Sequence, residues 1–105
     1  METFNNIRRW ARDRGLYKEG DLKTQFVKLN EEVGELANAI LKSNEEELID
    51  SIGDIVVVLT NLTHLANRSV LKKEYVTIEH CIEEAYKQIK DRKGKMVDGD
   101  FQKER

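Results

Sequence analysis

Apolar side chains recur along this chain at spacings of three and four, the pattern of helices with one buried face. Phe4, Ile7, Trp10 and Ala11 open the series, and Gly15 ends it after Arg12 and Arg14, glycine being the usual residue just past a helix. A second helix is predicted from Asp21, a suitable N-cap, through Leu22, Phe26, Leu29, Val33, Leu36 and Ile40. Advancing about 100° per residue, those side chains stay within a stripe about 80° wide. Ser43 and Glu46 have the spacing of a capping box. They predict a third helix carrying Leu48, Ile52, Ile55, Val56, Leu59, Leu62 and Ala66. From Ile55 to Leu59 it is apolar on every side, as a segment buried on several faces would be. A fourth helix is predicted from about Thr77, with Ile78, Cys81, Ile82, Ala85, Tyr86 and Ile89. Gly94 and Gly99 then break the periodicity. The pattern therefore predicts an all-α antiparallel bundle of four main helices, followed by an irregular basic tail over about residues 93–105.

Composition narrows the class. The 105 residues suit one domain spanning 1–105. With 39% apolar and 36% charged residues, the chain is neither disordered nor a membrane bundle. The longest uninterrupted apolar run, Ile55 to Leu59, falls far short of the roughly 20 residues of a spanning helix. Arg8, Arg9, Arg12 and Arg14 interrupt any leader-like stretch near the start. A single cysteine, Cys81, excludes an internal disulfide and fits a reducing cytoplasm. Charge is uneven: residues 1–86 hold 11 basic and 16 acidic groups, and residues 87–105 hold 7 and 4. An acidic body with a basic end disfavours nucleic acid as a partner and suits a cation seat beside an anion clamp.

The carboxylates are placed by the same helical arithmetic. With Leu22 at zero, Glu32 falls at about 280° and Glu35 at about 220°, on one flank of the apolar stripe, while Glu31 falls at about 180° on the outer face. With Leu48 at zero, Asp54, Asp50, Glu47 and Ser51 fall between about 200° and 300°, again on one flank. Asp54 lies between Ile52 and the apolar run, where a carboxylate is costly unless paired or bound to metal. A short connection makes the two helices antiparallel neighbours, so their acidic flanks are expected to converge. Clustered carboxylates raise one another's pKa unless a cation neutralises them, and Mg²⁺ takes such all-oxygen ligands.

Other chemistries lack their residues. A di-iron bundle needs Glu-x-x-His, but Asn61 and Thr77 stand three residues before His64 and His80, which are expected at the surface or at helix ends. RKGKMVDGD follows a helix and is too poor in glycine to cradle phosphate. Cys81 and Trp10 are expected in the core. Lys90, Arg92, Lys93 and Lys95 are candidate donors to phosphate oxygens, with Gln25 and Lys28, on the flank of Glu32, as further substrate contacts.

The run EEVGEL, followed by a charged turn and IGDIVVVL, resembles the MazG-like nucleoside triphosphate pyrophosphohydrolases. Their hallmark is Glu-Glu-x-x-Glu on one helix and Glu-x-x-Asp on the next. The likeness takes in RRWARDRGL, KLNEEVGELANAI, DSIGDIVVVLTNL and IKDRKGKMVDGDFQKE, nearly the whole chain. It implies an all-α fold assembled as a homodimer or homotetramer, in the cytoplasm of a bacterium or phage-infected host. It also implies cleavage of a nucleoside triphosphate between the α- and β-phosphates, dependent on Mg²⁺ or, in its place, Mn²⁺. By position Glu32, Glu35 and Asp54 match metal ligands, and Glu31 completes the first motif. The resemblance breaks at Ser51, where the family has glutamate. Asp50 then becomes a weaker or indirect member of the ligand set, with Glu47 one turn back as an alternative. The competing expectation is a metal- or nucleotide-binding module with little turnover.

Overall fold

A computed structural model describes residues 2–104. Five helices and one hairpin follow in order: α1 (Glu2–Asp13), α2 (Leu16–Glu19), α3 (Leu22–Leu41), α4 (Glu45–Ala66), α5 (Ile78–Ile89), β1 (Gly94–Val97) and β2 (Asp100–Lys103). The architecture is all-α, with the hairpin as its one departure among the described residues.

Helix ends are set by side chains that satisfy the free backbone donors. Asp21 caps α3, accepting from the Thr24 backbone N–H at 2.8 Å and from the Thr24 hydroxyl at 3.0 Å. Thr77 caps α5 through the His80 N–H. The predicted capping box at Ser43 is corrected: Asn44 caps α4, accepting from the Glu47 N–H at 3.1 Å. Ser43 instead adopts φ +51° and closes α3, because a three-residue reversal needs one left-handed residue. Its N–H donates to the Ile40 carbonyl and that of Asn44 to the Ala39 carbonyl, the Schellman pattern. Gly15, at φ +80°, ends α1 as expected, but a one-turn helix, α2, follows it.

That tight reversal lays α3 and α4 side by side in the most extensive packing of the chain. Val58, Thr60 and Asn61 of α4 are buried, as is Ala39 of α3. The 22-residue α4 is long and apolar enough to cross a membrane by length and composition alone, which the apolar run did not foretell. Here it is the central helix, touched by α1, α2, α3 and α5. Tyr17 of α2 donates its hydroxyl to Asn61 at 2.6 Å inside the small cluster of Ala11, Tyr17 and Leu65. His64, in the last turn of α4, stacks on Tyr17 with centroids 3.7 Å apart and meets the Tyr75 hydroxyl at 2.7 Å. Asn67 ties down the connection to α5 by exchanging hydrogen bonds with the backbone of Val76. Arg8 of α1 holds Glu79 of α5 in a two-pronged pair at 2.7 and 2.6 Å.

Much of the predicted core is bare. On α3 the stripe splits: Leu22, Leu29 and Leu36 are half-buried, while Phe26, Val33 and Ile40 are exposed. Trp10 is 48% exposed beneath the Arg14 guanidinium, and Cys81 is exposed on an α5 whose one buried residue is Ile78. Both were expected inside. Cys81 lies open because α5 packs on α4, with the Arg8–Glu79 pair as its tie to α1, leaving most of its apolar stripe without a neighbour in the same chain; Trp10, on α1, has the Arg14 guanidinium over its ring instead.

The tail expected to be irregular is a hairpin. Asp98 and Gly99, at φ +49° and +81°, form a two-residue turn of the type whose twist suits antiparallel strands. Met96 pairs with Phe101 and Lys95 with Gln102. A side chain at Gly94 would collide with the Phe101 ring and the Gln102 carbonyl.

Candidate functional site

Glu32 and Glu35 stand one turn apart on α3, and Asp54 faces them from α4. Each offers one carboxylate oxygen, and these three oxygens lie within 4.8 Å of one another. Glu32 is 7% exposed, whereas Glu35 and Asp54 open to solvent. Lys28, one turn before Glu32, approaches its Oε1 at 3.6 Å. The other oxygen, Oε2, is buried with no hydrogen-bond partner, a costly condition for a carboxylate. Partial desolvation raises the pKa of Asp54, the charges of Glu32 and Asp50 raise it further, and Lys28 opposes them.

An open hollow of about 390 Å³ lies beside this cluster, lined by Glu35, Asn38 and Lys42 of α3 and by Glu47, Asp50, Ser51 and Asp54 of α4. Glu35, Asn38 and Lys42 follow at i, i+3 and i+7, so one helix face presents an acid, an amide and a cation in a row. Asn38 and Lys42 were missed by the sequence reading, although that spacing carries them. Asp50 and Asp54 also edge a second hollow, of about 460 Å³, whose apolar wall includes Phe4 and Ile7 of α1 and Ile49, Val56 and Val57 of α4. A carboxylate cluster thus borders a polar recess on one side and an apolar recess on the other.

The remaining candidates take separate places. Glu31 is exposed and outside the three-carboxylate cluster. Ser51 is 4% exposed and lines the polar hollow without adding a carboxylate. Gln25 is half-buried on α3, three residues before Lys28. Lys90 and Arg92 follow α5, and Lys93 and Lys95 line a shallow recess along the hairpin. None of these four lines the acidic hollow, so one chain does not bring its basic end to its carboxylates.

The donor set tests for a cation directly. Its atoms are all carboxylate oxygens, the ligands of hard divalent ions, and the unpartnered buried Oε2 of Glu32 is the atom such an ion would satisfy. The residues fit a divalent metal.

The structure thus defines an all-α protein with an acidic site between two antiparallel helices. Residues 21–97 match the family model of the MazG nucleotide pyrophosphohydrolase domain, and the chain belongs to that family. It is also 39% identical over 76 residues to an uncharacterized 18.2 kDa protein in the rep-hol intergenic region of Haemophilus phage HP1 (strain HP1c1). That alignment covers 70% of this chain and 45% of the phage protein, so the chain spans about half the length of this curated relative. No solved structure matches.

Proposed function

We propose that this protein is a Mg²⁺-dependent nucleoside triphosphate pyrophosphohydrolase, cleaving between the α- and β-phosphates to release a monophosphate and pyrophosphate. The observation that carries this reading is the clustering of carboxylate oxygens from Glu32, Glu35 and Asp54, within the segment that matches the family. Glu32, Glu35 and Asp54 would hold the metal, with Asp50 beside them. Mg²⁺, or Mn²⁺ in its place, supplies positive charge that offsets the carboxylates and steadies negative charge on a phosphoryl group.

The chain's own residues supply the rest. Lys28 pairs with one oxygen of Glu32 and leaves the other, buried and unpartnered, free for a metal ion that it would help hold. Lys42, on the rim of the polar hollow, offers an ammonium to phosphate oxygens. The apolar hollow between α1 and α4 suits the flat face of a nucleobase, which gains from burial against Phe4 and Ile7. Glu31, outside the cluster, acts through the charge of the site and not as a ligand. The bare apolar face of α3 and α4 supports assembly as a homodimer or homotetramer, acting in the cytoplasm of a bacterium or phage-infected host.

Pyrophosphate release from a panel of ribo- and deoxyribonucleoside triphosphates tests the reading, with wild type and Asp54→Asn run with and without Mg²⁺. Release that needs both the metal and Asp54 is expected. Absence of release with either Mg²⁺ or Mn²⁺ would overturn it. Nucleotide-dependent thermal stabilisation without turnover would then favour a binding module, the reading to which the buried Ser51 hydroxyl points.

A further inference from the structure

Arg8, Arg9 and Arg12 take no part in the acidic site, yet they meet in one place. A hollow of about 440 Å³ is lined by these three and Asn5 of α1, by Tyr17 of α2, by His64 of α4 and by Tyr75 of the connection to α5. None of these residues borders either hollow beside the carboxylates. Helix α1 turns Phe4 and Ile7 toward the apolar hollow near Asp54. About 120° round its axis it turns Asn5, Arg8, Arg9 and Arg12 toward this one.

The three arginines differ in what already holds them. Arg8 is engaged by the Glu79 carboxylate at 2.7 and 2.6 Å. Arg9 donates to a neutral group, the Asn6 side-chain oxygen, at 3.0 Å. Arg12 meets Asp13 at 3.4 Å, but the two side chains are 66% and 60% exposed, a pair worth little. The Asn5 oxygen accepts from Arg8 at 2.6 Å, which leaves its amide nitrogen as a further donor. Burial lowers the pKa of His64, and the charges of Arg68 and Arg8 lower it further, so this wall stands in a positive field.

The rings divide in the same way. Tyr17 and His64 stack on each other, and the Tyr17 hydroxyl is given to Asn61. Tyr75 stands edge-on to His64, bonded to it through its hydroxyl, and is 61% exposed. Its ring is the one left open to a flat ligand.

We propose that this hollow binds a small phosphate monoester carrying a flat ring, the chemistry of a nucleoside monophosphate, with the phosphate on Arg9 and Arg12 and the ring against Tyr75. A phosphate monoester carries a charge of about −1.5 to −2 at pH 7, which two guanidiniums match through paired N–H donors. The volume is that of a small-molecule site. A nucleic-acid strand would run on past the hollow over a body of 11 basic and 16 acidic groups in residues 1–86, which opposes it. Because the hollow shares no residue with the carboxylate site, it binds whether or not the chain cleaves triphosphates.

Equilibrium dialysis of the full chain in EDTA tests this with neither metal nor turnover. The probes are adenosine and cytidine monophosphates, the two parent nucleosides and inorganic phosphate. At least one monophosphate is expected to bind, at least tenfold more tightly than its nucleoside and than inorganic phosphate. Arg9→Ala/Arg12→Ala is expected to weaken that binding at least tenfold, and Tyr75→Leu to bring it to the level of inorganic phosphate. Lys23→Ala/Lys42→Ala removes the same charge outside the hollow and is expected to bind as wild type does. Far-UV circular dichroism checks that the helices persist in each variant. Dissociation constants weaker than about 1 mM for both monophosphates would overturn the proposal. So would either the arginine double variant or Tyr75→Leu binding as wild type does, a nucleoside or inorganic phosphate binding as tightly as the monophosphate, or an equal loss in Lys23→Ala/Lys42→Ala.

Discussion

Glu32 of α3 and Asp54 of α4 bring carboxylate oxygens within 4.8 Å of each other, while the Oε2 of Glu32 is buried and unpartnered. Two like charges at that spacing oppose the folded state until a cation joins them. In EDTA, Glu32→Gln is expected to melt above wild type. The relief is roughly 1 kcal/mol, since Asp54 is open to solvent, or about 4–8 °C for a domain of this size. Added Mg²⁺ is expected to raise the wild-type midpoint through preferential binding to the native state and to leave the variant unmoved. Equal Mg²⁺ responses in the two proteins would remove Glu32 from the ligand set.

Lys42 carries the cation nearest the polar hollow on the α3 side, at the end of its helix. Its backbone N–H caps the helix, so its side chain can be changed without loosening the turn. Lys42→Ala is expected to lower kcat/KM for a nucleoside triphosphate about tenfold, the effect of losing one charge-assisted contact to phosphate. The melting midpoint should stay within about 2 °C of wild type, as for a surface substitution. Steady-state kinetics at saturating Mg²⁺ reads this. An unchanged kcat/KM would place the phosphates elsewhere.

The Arg8–Glu79 pair predicts a pH signature. Hydrogen bonding from Arg8 holds the Glu79 carboxyl down to about 2, from an ordinary value of 4.5. Because the folded value is the lower one, the stabilisation is fully present above the ordinary value and is lost as pH falls toward about 2. Glu79→Gln is expected to cost roughly 1 kcal/mol at pH 7, kept small because Glu79 remains 31% exposed. The gap between wild type and variant should be flat above about pH 6 and narrow as pH falls through the carboxylate range. Thermal melts between about pH 3 and 8 check this, and a gap that widens on acidification would contradict the pairing.

The sequence disclosed what is local. Capping by Asp21, a helix start near Thr77, the four long helices and the acidic flanks of α3 and α4 are local features, and one helix turn fixes which side chains share a face. Ser43 was misread because its left-handed conformation serves the reversal and not the helix that follows. Asp98-Gly99 is a legible hairpin turn, but strands of four residues leave too few alternations to set against the helical pattern before them. Trp10 and Cys81 were misplaced for a different reason. Periodicity shows that a stripe is apolar, not which stripe finds a neighbour in the same chain, and most of α5 finds none.

Ser51 offers a test of how this site balances stability against metal binding. It is 4% exposed, lines the polar hollow and sits one turn before Asp54. Ser51→Glu would place a further carboxylate beside Asp54, whose pKa is already raised by desolvation and by the charges of Glu32 and Asp50. Without metal that charge is buried among like charges, so the variant is expected to lose roughly 2 kcal/mol or more of stability in EDTA. With Mg²⁺ the same carboxylate becomes an added oxygen ligand, and the apparent metal affinity is expected to rise about tenfold or more. Thermal melts across a Mg²⁺ titration separate the two effects, since the curve for Ser51→Glu should start below wild type and climb more steeply. A variant destabilised equally at every Mg²⁺ concentration would show that position 51 faces the helix packing and not the metal.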